Sequence, residues 1–164
     1  MLSAATPLSF EIVSPEEERS RTVLRAYYRD IVGRYYGRPA TEAEIDDVLA
    51  DEPSDDLRLP SGLFWVATEG PLVSGCAGLR LLSEAVGEVT RVFVAHQARG
   101  RGIGARLLAE VEQAARDRGL ARLRLDTRTD LVEARRLYAR HGYREVPAFN
   151  DSPYAGHWFT KDLG

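Results

Sequence analysis

Arg99-Gly100-Arg101-Gly102-Ile103-Gly104-Ala105 is the stretch best equipped for chemistry, with two arginines among three alternating glycines. An apolar, β-branched and aromatic run, Val92-Phe93-Val94-Ala95, precedes it and reads as a buried strand. An amphipathic helix follows, with Ile103, Leu107, Val111 and Ala114/Ala115 on one face and Arg106, Glu110 and Gln113 on the other. The first amides of a helix have no internal acceptors, and the helix dipole adds partial positive charge at that end. Glycines let the backbone approach an anion without a Cβ in the way, and Arg99 and Arg101 can add charge-assisted hydrogen bonds. A phosphate or pyrophosphate site is the expectation.

The rest of the chain offers little rival chemistry. Cys76 is the only cysteine, which excludes an internal disulfide and fits a reducing compartment. It has no neighbouring His or second Cys, so it reads as a buried filler or, less economically, as a thiol nucleophile. Three scattered histidines make no metal site. A net charge of −3 provides no global basic field for nucleic acid or anionic membrane. Lys161 is the only lysine, an arginine bias better read as compositional than as many anion sites. Met1–Pro7 lacks a basic region and a sustained apolar core, and no apolar run approaches membrane-spanning length, so a soluble, cytoplasmic protein is expected.

At 164 residues the chain is most simply one domain, residues 1–164. Leu8–Val13 reads as a strand. Ser14, Pro15 and the following acids predict a helix start, with the helix running to about Val32 and broken by Gly33–Pro39. Thr41 and Glu44 form a capping box for a helix to about Ala50. Tyr27, Tyr28, Tyr35 and Tyr36 either pack or line a pocket. Asp51–Gly62 is an acidic surface loop, either a solvated connection or an attractor of a cationic substrate through Asp51, Glu52, Asp55 and Asp56. A meander follows: Leu63–Ala67, Leu72–Leu82 and Glu88–Val94. The glycine-loop helix stops at Gly119. Arg122–Asp126 should then lie parallel to Glu88–Val94 through a βαβ crossover. Asp130, with Glu133, is expected to cap a helix whose inner face is Ala134, Leu137, Tyr138 and His141. Tyr143–Val146 and Tyr154–Leu163 complete the set as strands. The fold class is α/β (α+β), a mixed and mostly antiparallel sheet with one βαβ unit.

This order of elements resembles the GNAT N-acetyltransferase superfamily, and two motifs carry the resemblance. Arg99, Gly102 and Gly104 match the family's acetyl-CoA signature, and Ala134 through Tyr143 is similar to its second motif, with Leu137-Tyr138 and Gly142-Tyr143 in place. The resemblance covers residues 62–164 by motif and residues 8–60 by element order alone. It implies acetyl-CoA as co-substrate, with Phe93 and Val94 beside the pantetheine arm through main-chain groups. The amides of Arg99, Gly100, Arg101, Gly102, Ile103, Gly104 and Ala105 would hold the pyrophosphate. It implies direct attack by an amine on the thioester, Tyr138 as general acid for the departing thiolate and Glu88 as the group that takes the amine's proton. Where the family often carries an asparagine, this chain has Leu131. His96 and His157 are further candidates as a base or acceptor-facing group, and His141 reads as a helix-end residue.

A dinucleotide site, suggested by Gly100, Gly102 and Ala105, fails because the preceding strands form a meander and no acid closes a second strand. A P-loop is excluded because no Gly-Lys-Ser/Thr follows the glycines. The remaining alternative is an acyl-CoA-binding sensor or interaction module without turnover. The acceptor is expected to bear an amine. The assembly is expected to be a monomer or a homodimer.

Overall fold

The computed structural model describes residues 6–164; the reading of Met1–Pro7 as no signal peptide therefore falls largely outside the described residues. In chain order the elements are β1 (Leu8–Ile12), α1 (Glu18–Tyr36), α2 (Glu42–Asp51), β2 (Gly62–Glu69), β3 (Leu72–Leu81) and β4 (Val86–Val94). After a short 3-10 turn at His96–Ala98 come α3 (Ile103–Asp117), β5 (Arg122–Thr127), α4 (Val132–Arg140), β6 (Arg144–Val146) and β7 (His157–Asp162). The strands form one seven-stranded sheet in the order β1-β2-β3-β4-β5-β7-β6. All pairings are antiparallel except β4 with β5, the parallel pair joined through α3. Among the described residues no helix is long and apolar enough to cross a membrane.

The sheet is covered on both faces, which is why β2 is buried from Gly62 to Thr68 and β3 from Ser74 to Leu79. Successive strand residues point to opposite faces. Accordingly the Phe93 ring meets Tyr27 of α1 at 5.9 Å, while Val94 faces Gly104 of α3. Leu107, Leu108, Val111 and Ala115 of α3 are fully or almost fully buried, as the helical periodicity requires. One member of that face is unexpected. Glu112 is 7% exposed and accepts hydrogen bonds from Tyr143 Oη at 2.9 Å and Lys161 Nζ at 2.8 Å.

Several local expectations need correction. The first helix starts at Glu18, after a turn in which Ser14 Oγ accepts from the Glu16 amide, so Ser14 does not cap it. It also continues through Gly33 to Tyr36 and ends on Gly37, whose φ is +68°. Gly33 suits the helix because the chain folds back closely over it: a Cβ there would lie a tight 3.2 Å from the Arg38 carbonyl oxygen. Asp130 does not cap α4; Leu131 is the N-cap, and the Asp130 carboxylate is drawn to Arg128 at 2.7 Å. The last strand begins at His157 rather than Tyr154, leaving Tyr154 in the loop that precedes it. The Thr41–Glu44 capping box forms as expected, with both reciprocal hydrogen bonds present.

Candidate active site

The site begins with two interruptions in β4. Between the pairs Cys76↔Phe93 and Gly78↔Thr90, β3 contributes Ala77 alone while β4 contributes Arg91 and Val92, a β-bulge. Arg91 takes the left-handed conformation there, with φ at +53°. The bulge is held from all sides: Cys76 Sγ donates to the Arg91 carbonyl at 3.2 Å, and the Arg91 guanidinium donates to the carbonyls of Glu52 at 3.0 Å and Pro53 at 3.4 Å. Cys76 is thus a structural donor at full burial, and burial pushes its thiol pKa well up.

The second interruption is the parting of β4 from β5. Their pairing covers only Val86↔Arg122, Gly87↔Leu123 and Glu88↔Arg124. Beyond Glu88 the strands splay, and β5 goes on pairing with β7 alone as far as Thr127↔His157. The gap opens into a cleft of about 1240 Å³, walled by β4, β5, α1, the start of α3 and α4. Asn150 holds the β6–β7 loop over one side, donating to Asp126 and accepting from Trp158 Nε1, both at 2.9 Å.

Of the residues singled out by sequence, Glu88, Phe93, Val94, Arg99, Gly100, Gly102, Ile103, Gly104, Ala105 and Tyr138 all line this cleft. The amides from Gly100 to Ala105 have no hydrogen-bond acceptor among the described residues; the first amide of α3 to find one is that of Arg106, on the Gly102 carbonyl at 3.1 Å. Gly100 and Gly102 have φ of +80° and +76°, and an added Cβ at either would point into open space. This is a row of donors, cleared of side chains at Gly100 and Gly102, at the positive end of a fifteen-residue helix.

The two loop arginines are engaged elsewhere. Arg99 Nε donates to the Val94 carbonyl at 3.1 Å, and its terminal nitrogen reaches Asp30 at 3.4 Å, latching the loop to β4 and α1. Arg101 does not line the cleft: it clamps both carboxylate oxygens of Glu69 at 2.7 and 2.9 Å. Arg101 and the Ser74 hydroxyl hold the Glu69 carboxyl below its ordinary pKa. Both side chains act as tethers for the loop, which leaves its amides from Gly100 to Ala105 as donors without an acceptor among the described residues.

Tyr138 is 6% exposed, with its ring against Tyr143 and Phe159, and its hydroxyl has no hydrogen-bond partner among the described residues. Burial first, then the charges of Asp126 and Glu133, push its phenol pKa up, so the group is protonated at neutral pH. Glu88 stands at the apex of the split, next to its last β5 partner. Arg124 Nε at 3.2 Å and Arg80 at 3.6 Å hold its carboxylate.

Other candidates separate clearly. His141 lines the cleft at the end of α4, whereas His96 is exposed in the 3-10 turn and His157 pairs with Glu145 at 3.1 Å, both outside the lining. Tyr27, Tyr28, Tyr35 and Tyr36 all line it; Tyr28 is fully packed, while Tyr35 and Tyr36 are more than half exposed at the rim. Of the acidic stretch, Asp51 and Glu52 face the cleft, Asp56 is bound to Arg80 at 2.7 Å, and Asp55 lies elsewhere. Sequence reasoning missed Asp126, Tyr154, Arg136 and Arg140 as lining residues. For the arginines the available signal was their four-residue spacing beside Leu137-Tyr138. Among the described residues no group of three or more His, Cys, Asp or Glu side chains is placed to hold a metal ion.

The sequence model of the acetyltransferase (GNAT) family matches residues 24–143. The chain is 34% identical over 97 residues to the uncharacterized N-acetyltransferase YedL of Escherichia coli K12, covering 58% of this chain and 61% of that one. It is 37% identical over 99 residues to an IAA acetyltransferase of Azospirillum brasilense, covering 60% and 63%. The matches thus span about three-fifths of the length of these curated relatives. In fold the chain is similar to the PaiA N-acetyltransferase of Thermoplasma acidophilum, solved in complex with coenzyme A, with a TM-score of 0.75 at 19% identity over 95% of this chain and 99% of that one. A GNAT-family acetyltransferase from Staphylococcus aureus Mu50 gives a TM-score of 0.75 at 20% identity, over 95% and 100%. The family match contains the bulge, the split, the glycine loop and Tyr138 within one continuous span, and the chain belongs to the acetyltransferase (GNAT) family.

Proposed function

We propose that the protein is an acetyl-CoA-dependent N-acetyltransferase that moves the acetyl group directly onto a primary amine of a small molecule or peptide. The observation that carries this reading is the row of unpartnered amides, Gly100–Ala105, opening into the β4–β5 split. A pyrophosphate supplies the acceptors these donors lack, and the two left-handed glycines leave room for it. Phe93 and Val94 then flank the pantetheine arm along the open side of β4.

Acetyl-CoA supplies an activated thioester carbonyl in this arrangement. The amine nitrogen forms the new C–N bond as the C–S bond breaks, and the electron pair of that bond leaves on sulfur. Tyr138, kept protonated by its burial, gives its proton to the thiolate. Glu88, fixed by Arg80 and Arg124, takes the proton from the amine directly or through water. The carboxylates of Asp51 and Glu52 give the acceptor side a negative wall suited to an ammonium.

Thermal unfolding with acetyl-CoA, against NADH and ATP as controls, tests the site. A ligand at about a hundred times its dissociation constant stabilises by about 2.7 kcal/mol, or roughly 5–10 °C for a chain of this size. A shift with acetyl-CoA alone supports the reading, and its absence in a folded sample refutes it. An amine panel read by thiol release then separates an enzyme from a binding module: ligand binding with no thiol from any amine points to the sensor.

A further inference from the structure

Seven arginines line the cleft, and five of them are committed to the protein itself. Arg34 pairs with Glu133, Arg80 with Asp56, Arg99 with Asp30 and Arg128 with Asp130, and Arg91 holds the carbonyls of Glu52 and Pro53. Arg136 and Arg140 alone among them make no hydrogen bond or ion pair with any described residue. They stand four residues apart on α4, so their side chains are neighbours on one helix face. Leu137, beside them, packs on the start of α3: a Cβ added to Gly104 would lie 3.1 Å from Leu137 Cδ2. The free guanidinium pair therefore borders the end of the cleft that holds the amide row. Arg140, in the last turn, also complements the dipole of α4, but Arg136 stands a turn earlier and has no such role.

The inference rests on the reading of this cleft as an acetyl-CoA site. The amide row accounts for the pyrophosphate. Acetyl-CoA carries one further anionic group, the 3′-phosphomonoester of its ribose, which bears between one and two negative charges near neutral pH. We infer that Arg136 and Arg140 form a second anion site that grips this 3′-phosphate, so that the protein selects CoA thioesters over their 3′-dephospho forms. Guanidinium forks match phosphate oxygens in pairs, and the contact is charge-assisted on both sides.

The test is calorimetric titration of the full chain with acetyl-CoA and with 3′-dephospho-acetyl-CoA, for the wild type, Arg136→Ala, Arg140→Ala and the double variant. The wild type should bind acetyl-CoA about tenfold to a hundredfold more tightly than the dephospho form. In the double variant that preference should fall to within about threefold, through weaker binding of acetyl-CoA and unchanged binding of the dephospho form. Raising the salt should shrink the wild-type preference more than the variant's. Both side chains are exposed, so the unliganded variants should melt with the wild type. Equal wild-type affinity for the two ligands overturns the inference while leaving the cofactor reading intact, and so does a variant that loses both ligands in parallel. If the wild type binds neither, the cofactor reading falls and the inference with it.

Discussion

Replacing Lys161 with methionine should unfold the protein at a markedly lower temperature, because the chain's only lysine closes a buried polar network. Lys161 Nζ donates to Glu112 Oε1 and to the His141 carbonyl, each at 2.8 Å, and Tyr143 Oη donates to Glu112 Oε2 at 2.9 Å. The network ties α3 to β7 and to the end of α4. Breaking a fully buried ion pair from one side costs about 3–5 kcal/mol, since a charge is left without its partner. Here the figure must be reduced. The Lys161 side chain is 21% exposed, Glu112 keeps its bond from Tyr143, and Arg116 stands 3.9 Å away. A cost of about 2–3 kcal/mol remains, or a fall in Tm of roughly 5–10 °C for a chain of this length. Thermal and urea unfolding measure it. Adding Glu112→Gln to Lys161→Met should recover part of the loss, because the stranded charge is gone. The Tyr143 amide also donates to the Tyr138 carbonyl at 3.0 Å, so the same lesion loosens the helix end carrying the phenol. A Lys161→Met protein within about 0.5 kcal/mol of wild type, or strictly additive losses in the double variant, would refute the reasoning.

Tyr138→Phe should lower kcat about a hundredfold or more while leaving acetyl-CoA affinity nearly unchanged, as read by steady-state kinetics with calorimetry; an unaffected rate would mean that another acid protonates the thiolate. An added Cβ at Gly102 meets no described atom within 4 Å, but Gly102→Glu must adopt the left-handed region and faces the proposed pyrophosphate position, so it should cost about 1–2 kcal/mol of stability and abolish acetyl-CoA binding. Unchanged affinity in that variant would displace the ligand from the loop. The cap of α2 should weaken in acid. Arg38, followed by the Thr41 amide, holds the Glu44 carboxyl at about 2 against an ordinary value of 4.5. A depressed carboxylate stabilises the fold above its unfolded pKa and loses that contribution as pH falls through the folded one. Melting temperatures recorded from pH 5 down to pH 2 should therefore fall less for Glu44→Gln than for wild type.

Much of this protein is legible wherever local chemistry decides the outcome. The capping box at Thr41 and Glu44, the glycine stop after α3 and the meander all arise from bonds closed within a few residues, or from turn chemistry between alternating apolar runs. The parallel β4–β5 pair was equally readable, because a strand, helix and strand in that order have one favoured handed solution. The failures share a different cause. Gly33 reads as a breaker until the returning chain at Arg38 is seen to need the space, and Asp130 reads as a cap until Arg128 takes its carboxylate.

The sequence alone therefore determined the element order and the amide-rich start of α3, while Tyr138 and Glu88 were singled out through the family resemblance. Tertiary structure decided which charges remain free to act. Arg99 and Arg101 flank the loop in sequence, yet Asp30 and Glu69, distant in the chain, draw them into tethering roles. Arg136 and Arg140 look like ordinary helix-surface arginines, yet among the described residues no carboxylate pairs with them in the cleft. The point at which β4 leaves β5 was likewise beyond the sequence, because strand pairing is fixed by partners far apart in the chain. Spacing says what a residue can do; its partners decide whether it is free to do it.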